Sequence, residues 1–350
     1  MLSARTETIL KSIVGQYITK AQPVPSQSIT NDCELEVSSA TIRNEMAYLE
    51  QEGYITRPHP SAGVIPLDKG YRCYVETLGD IKLPLVEQRL ISHLFHQVER
   101  ELDEWLDLAA TLIAQMVQNM AVVTLPKPEA CYFKHLDLVS LHDSMALVVL
   151  VLAGAKVREQ LITFEQIISQ LELTAITNKL STAYAGLTGS QISAKGAKLS
   201  VLDQQITDCL VRLMEVEDEH EYEERYLDGL HFMLNQPEFA YSQRLLALME
   251  LVEHRSLLRS IVPAELTVEG VQVIIGKENR TEAIHNYSVV LSRYGLPKEA
   301  VGTIGVIGPT RMPYARTIAT VSYLSQVLSR LAAKLYGKEI STEPDQNINN

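Results

Sequence analysis

Apolar positions in the first eighty residues recur three times at helical spacing and then give way to short extended runs. Ile9, Ile13, Val14, Tyr17 and Ile18 put an apolar stripe on one face of residues 4–19, which predicts a first helix. Pro23 and Pro25 break it, and Ser26 can cap a short second helix reaching about Cys33. Val37, Ile42, Met46 and Leu49 supply the next apolar face, behind Ser38 as N-cap and ahead of Gly53 at the position where a left-handed residue closes a helix. The opposite face of this third helix shows Ser39, Ala40, Arg43, Asn44 and Ala47, which are short or polar and unobstructed by bulk. Residues 54–56 read as a strand, 57–63 as a turn and 64–65 as a returning strand. Helix, short helix, exposed-face helix and hairpin is the order of a winged helix-turn-helix. That order also occurs in domains that bind only protein; the side chains of the exposed face favour DNA.

A short helix is expected over residues 71–78, and Pro84 marks a joint. Ile91, Leu94, Val98, Leu102, Trp105, Ala109, Leu112, Met116 and Met120 then repeat at three and four, predicting one long helical region over 85–120. Its stripe serves either as a shaft between subunits or as packing against the chain's own second domain. After Pro126 and Pro128, alternation over 135–141 predicts a strand, 145–152 a continuous apolar strand buried on both faces, and 157–164 a weaker third. Strands resume at 271–275, 287–291 and 300–307, and a helix over 314–335 precedes a polar tail. The pattern is a multidomain α+β protein: a head over 1–80, an α+β domain from 81–164 and 263–338, a mainly helical insert over 165–262, and a disordered tail over 339–350.

Composition narrows the functions. A chain of 350 residues with 46% hydrophobic content supports two or three cored domains. A net charge of −12 favours solubility and argues against a broad nucleic-acid or membrane surface. Residues 1–80 carry seven Lys and Arg against ten Asp and Glu, so DNA binding there requires the cations to share one face, with Glu34, Glu36, Glu50 and Glu52 turned away. No signal peptide opens the chain, and its longest apolar window, residues 145–155, is too short for a bilayer, which points to a cytoplasmic protein without a membrane partner. Cys33, Cys73, Cys131 and Cys209 lack metal or redox spacing. The acidic run at 215–224 reads as a solvated helix face, and His93 with His96 lacks a third ligand. Gly302, Gly305 and Gly308 form no phosphate-cradling motif and read as strand entering a turn. No cofactor, metal or catalytic constellation emerges, so an enzyme is not expected.

Residues 38–55, SSATIRNEMAYLEQEGYI, followed by 59–72, HPSAGVIPLDKGYR, resemble the signature of the HrcA heat-inducible transcription repressors of bacteria. A second stretch, VGTIGVIGPTRMPYAR at 301–316, is similar to that family's carboxy-terminal signature, and the layout agrees over nearly the whole chain. The resemblance implies a GAF-like α+β domain interrupted by a dimerising insert. It implies a homodimer on an inverted-repeat operator (the CIRCE element) of chaperone operons, relieved by heat and tuned by a GroEL-type chaperonin. Two departures stand out: members usually carry Gly and Arg in the segment that here reads Pro25-Ser26-Gln27, and Arg in place of Val64. Both changes remove candidate phosphate contacts.

With the third helix in the major groove, Ser39, Ala40, Arg43 and Asn44 lead, because the first turns of such a helix sit deepest. Arg43 matches a guanine edge and Asn44 an adenine edge, while Thr41 suits the backbone. Arg57, His59, Ser61 and Lys69 are expected to hold phosphates or the adjacent groove from the hairpin, with Arg72 a further cation near the head. Two other classes fit the same pattern: a metabolite-responsive regulator using the GAF-like pocket, and a winged helix that binds only protein.

Overall fold

The computed structural model describes residues 2–32, 38–59, 62–98, 101–126, 131–153, 157–195, 199–219, 225–239, 246, 249–250, 261, 270–296 and 300–335. The chain separates into two compact units, Met1–Pro126 with Glu224–Asn350, and Lys127–Glu223.

The first unit opens with α1 (Ala4–Lys20), α2 (Ser26–Asp32) and α3 (Ser39–Gln51), followed by the antiparallel pair β1 (Ile55–Thr56) and β2 (Ile65–Pro66) and by α4 (Asp68–Glu76). Ser3 caps α1 by accepting from Thr6 N at 3.2 Å, and Ala21 ends it in the left-handed region with φ 53°. Ile9, Ile13, Ile29, Ile42, Leu49 and Ile55 are removed from solvent together, each contributing about 1.5–3 kcal/mol of transfer free energy. The apolar spacing that predicts a head core is therefore the spacing that builds it.

Over 85–120 the chain forms two helices rather than one, α5 (Leu85–Gln97) and α6 (Leu102–Val117), and Met120 starts strand β3 (Met120–Thr124). Both helices bury their apolar faces in the same core, so the stripe runs on across a break that neither Gly nor Pro announces. Gln118, at φ 54°, closes α6 with its N–H on Ala114 O at 2.8 Å. The remaining strands of this unit are β7 (Arg225–Asp228), β8 (Val271–Ile275), β9 (Tyr287–Leu296) and β10 (Ala300–Pro309); α10 (Leu230–Leu234) follows β7, and α11 (Tyr314–Leu335) follows β10. They make a five-stranded antiparallel sheet in the order β7-β3-β10-β9-β8. Gly302, Gly305 and Gly308 lie within β10, paired along its length to β9.

The second unit is a three-stranded antiparallel meander, β4 (Phe133–His142), β5 (Met145–Leu152) and β6 (Val157–Thr163), with α7 (Gln170–Tyr184), α8 (Gly189–Ala194) and α9 (Val201–Glu219). Capping boxes at Ser169/Glu172 and Thr188/Gln191 start α7 and α8. Leu136, Val148 and Leu150 on one sheet face pack with Leu173, Leu180 and Leu210 from the helices.

This division corrects the expected boundaries. Among the described residues the strands at 133–163 pair with one another, not with the sheet of the first unit, so the inserted unit begins after Pro126 and is α+β rather than mainly helical. Residues 225–228, expected inside the insert, pair instead with β3. Alternation identifies a strand but not its neighbour, and β7 is four residues long behind an acidic run. Nor is β5 buried on both faces: Ala146, Val148, Leu150 and Leu152 are buried, while Met145, Leu147, Val149 and Val151 are half-buried. Residues 220–224 of the acidic run, most of 240–262 and the tail at 339–350 lie outside the described residues. No described helix is long and apolar enough to cross a membrane, and no group of three or more described His, Cys, Asp or Glu could hold a metal ion.

Candidate nucleic-acid interface

Helix α3 is framed at both ends by the residues its spacing predicts. Ser38 has extended backbone (φ −68°, ψ 152°) and its hydroxyl accepts from Thr41 N at 3.2 Å; Gly53, at φ 74°, lies just past the helix. Burial of Ile42, Met46 and Leu49 fixes the helix's rotation and turns Ser39, Ala40, Arg43, Asn44 and Ala47 to solvent. The side chains of Arg43 and Asn44 make no hydrogen bond to another described residue, so both retain their donors. Thr41 is half-buried, with its hydroxyl 3.0 Å from that of Ser38, and belongs to the cap.

Among the described residues, Glu45 and Glu50 of α3 are engaged within the protein, while Glu34 and Glu36 lie outside them. Glu45 accepts from Arg5 Nε at 3.0 Å and from the Thr6 hydroxyl at 2.8 Å, pinning α3 to the first turn of α1. Glu50 holds Arg57 Nε at 2.9 Å. Glu45 carried no sequence signal beyond its position two residues from Arg43, which puts it on another side of the helix.

The hairpin is less free than expected. Lys69 donates to Glu52 O at 2.8 Å and lies 4.1 Å from the centre of the Tyr54 ring, so its ammonium satisfies an orphan carbonyl at the C-terminal end of α3. A helix of 13 residues spans about 20 Å, which separates that end from Ser39. His59 is exposed, and its carbonyl accepts from Ala62 N at 2.9 Å; Ser61 lies outside the described residues. Arg72 turns away from the head surface to Glu278 and Val273 O. Arg5, Lys11, Arg57, Lys69 and Arg72 thus have partners within the protein, leaving Arg43 and Lys20 unpaired among the described cations of residues 1–80.

Val64 is fully buried and bridges to Val24 through paired backbone hydrogen bonds of 2.8 and 2.9 Å. In this chain the position ties the returning strand to the α1–α2 connection, and the preceding Gly63 comes so near that a Cβ would lie 2.5 Å from Val24 C. The Val64 departure therefore marks a packing position. Burial pushes the Cys73, Cys131 and Cys209 thiols up, with Asp218 adding to the effect at Cys131, so none is an activated thiolate; Cys33 lies outside the described residues.

Three helices and a hairpin presenting an unpaired Arg-Asn face, in one unit with a five-stranded antiparallel sheet, define a multidomain α+β protein with an exposed polar face on its head. The family model described as HrcA protein C terminal domain matches residues 103–318. The chain is 55% identical over 338 residues to the heat-inducible transcription repressor HrcA of Dehalococcoides mccartyi, covering 97% of this chain and 98% of that protein. It is 41% identical to the protein of the same description from Roseiflexus castenholzii (97% of each chain) and 38% identical to that of Chloroflexus aurantiacus (98% and 96%). A crystal structure of a hypothetical protein, 24% identical, matches 95% of this chain and 99% of that one with a TM-score of 0.62, so the two share a fold. The chain belongs to the HrcA family.

Proposed function

We propose that this protein is a heat-inducible transcription repressor that reads an inverted-repeat operator of the CIRCE type as a homodimer. The observation that carries the reading is the exposed face of α3, where Arg43 and Asn44 keep their hydrogen-bonding groups free while the neighbouring carboxylates are engaged elsewhere. The head is then a winged helix-turn-helix, with α3 in the major groove and β1–β2 as the wing. Arg43 suits the O6 and N7 of guanine and Asn44 the N6 and N7 of adenine. Ser39 and Ala40 allow close approach at the leading turn, Thr41 supports it from the cap, and His59 and Ser61 serve the backbone from the wing, joined by Arg57 where a phosphate displaces Glu50.

The five-stranded sheet with α6 and α11 corresponds in this reading to the GAF-like domain, and residues 127–223 to the dimerising insert. Support for the second assignment comes from the outer face of the meander, where Leu147 is flanked in register by Val139 and Leu161, both exposed, and Val151 by Val157, with Asp137 and Glu159 on either side of the intervening Val149. An exposed apolar sheet face of this kind suits a second copy of itself across a two-fold axis. Dependence on a GroEL-type chaperonin rests on family membership alone. It is tested by whether operator binding after heating and cooling follows added chaperonin.

A gel-shift titration with an inverted-repeat operator and a scrambled duplex tests the reading. Selective binding is expected, and Arg43→Ala should cost about 1–3 kcal/mol on the operator. Equal affinity of the wild-type protein for both duplexes contradicts a base-reading head.

A further inference from the structure

The head is fastened to the five-stranded sheet at two places, and neither involves the exposed face of α3. At the first, α4 meets the turn Gly276–Glu278 that follows β8. The Asp68 carboxylate accepts from Lys277 N at 3.0 Å, and Gly276, at φ 53°, lies so close that a Cβ there would sit 2.3–2.5 Å from the carboxylate atoms. Arg72 forks onto Glu278, with Nε 2.8 Å from Oε1 and Nη2 on Oε2, and Nη2 also donates to Val273 O at 2.7 Å. Glu278 is held in place for this, since its Oε2 accepts from Ile275 N at 2.8 Å. At the second, Arg311 Nη1 donates to Ile18 O at 2.7 Å in the last turn of α1, while its other nitrogens engage Glu238 and Gln236. Between the two, the buried rings of Tyr71 and Tyr314 meet with centroids 5.8 Å apart.

These contacts do more to fix an angle than to add stability. The Arg72 and Glu278 side chains are 30% and 39% exposed, so their charge pair contributes little net free energy, but a two-pronged guanidinium–carboxylate contact is strongly directional. Two anchors, the fork at α4 and the single hydrogen bond from Arg311 to Ile18 O at the end of α1, remove the rotational freedom that one contact would leave. The covalent connection from α4 to α5 runs over residues 77–84 and by itself would let the head swing.

We propose that Asp68, Arg72, Glu278 and Arg311 are positioning residues that determine operator spacing. They lock each head at one angle on its sheet, so the separation of the two α3 helices in a dimer, and with it the accepted distance between half-sites, is set by this latch. The proposal rests on the repressor reading above. Half-sites read from one side of the duplex lie about 10–10.5 bp or a multiple apart, and a shift of about 5 bp carries one half-site to the far side. A rigid pair of heads cannot follow that shift; a pair released from the latch can.

The test is equilibrium binding of the full-length protein, Glu278→Gln and Arg72→Met to operators whose spacer is lengthened by about 2 and about 5 bp, beside a single half-site duplex and a thermal melt. The wild type is expected to lose about 10-fold or more in affinity on the altered spacers, and the variants about 3-fold or less, with half-site binding and melting little changed. Arg72→Lys, which keeps the charge but not the fork, should fall between. Variants that discriminate spacers as sharply as the wild type overturn the proposal, as does a wild type that prefers the half-site sequence yet ignores spacing. If Arg72→Met melts early, Glu278→Gln carries the comparison. A wild type that does not distinguish operator from scrambled duplex removes the repressor reading itself, and the latch with it.

Discussion

Lys69 and Arg43 are both cations of the head, yet their surroundings give them opposite work. Lys69 already sits on Glu52 O and over the Tyr54 ring, where it complements the negative end of α3. Lys69→Met is therefore expected to lower stability by about 1 kcal/mol in a denaturant titration while leaving the salt dependence of operator binding unchanged. A phosphate contact would instead reduce the salt slope by about 1. Gly63→Ala is expected to loosen the hairpin, because its Cβ would press on the Val24 carbonyl; a melting temperature equal to that of the parent would contradict the close approach. Ser38 and Gly53 were legible as cap and terminator because each sits at a fixed offset from the apolar positions of α3. Lys69 was not, because nothing in the order of residues says that its ammonium returns to a helix end that is seventeen positions away. The burial of Val64 is hidden for a related reason: it depends on Val24, a partner across the head.

Period proved a good guide to element type and a poor guide to pairing. Helix α3 and the closing helix α11 follow directly from apolar residues at three and four, and β8, β9 and β10 from extended apolar runs. The strands β4 to β6 were equally legible as strands, but their sheet was not, since pairing is decided by packing against α7 and α9. The break between α5 and α6 leaves the apolar stripe intact and so leaves no trace in it. The outer face of the meander carries the element-scale prediction. Leu147→Asp places a charge between Val139 and Leu161, and sedimentation should show the dimer weakened by about 10-fold or more, with cooperative operator binding lost. An unchanged dimer would assign self-association to another surface.

At the scale of the whole molecule, charge is the unusual feature. The protein carries a net −12, and its head does not compensate, since five of the seven cations in residues 1–80 are engaged within the protein among the described residues. In the proposed reading, affinity then leans on base contacts and on two heads acting together. With about two phosphate contacts per head, the slope of log K against log salt should be roughly −4, at about −0.9 per phosphate. A slope near −10 would mean a far larger cationic footprint than the described surface offers.

Whether α3 reads bases through Arg43 is decided by a double-mutant cycle. Operator binding would be measured for the wild type and Arg43→Ala on a natural operator and on one in which the contacted guanine is replaced by 7-deazaguanine, which lacks the N7 acceptor. A clear loss is expected for the wild type and little further loss for the variant, a coupling of about 1 kcal/mol or more. Equal losses for both proteins at every guanine of the half-site would contradict it.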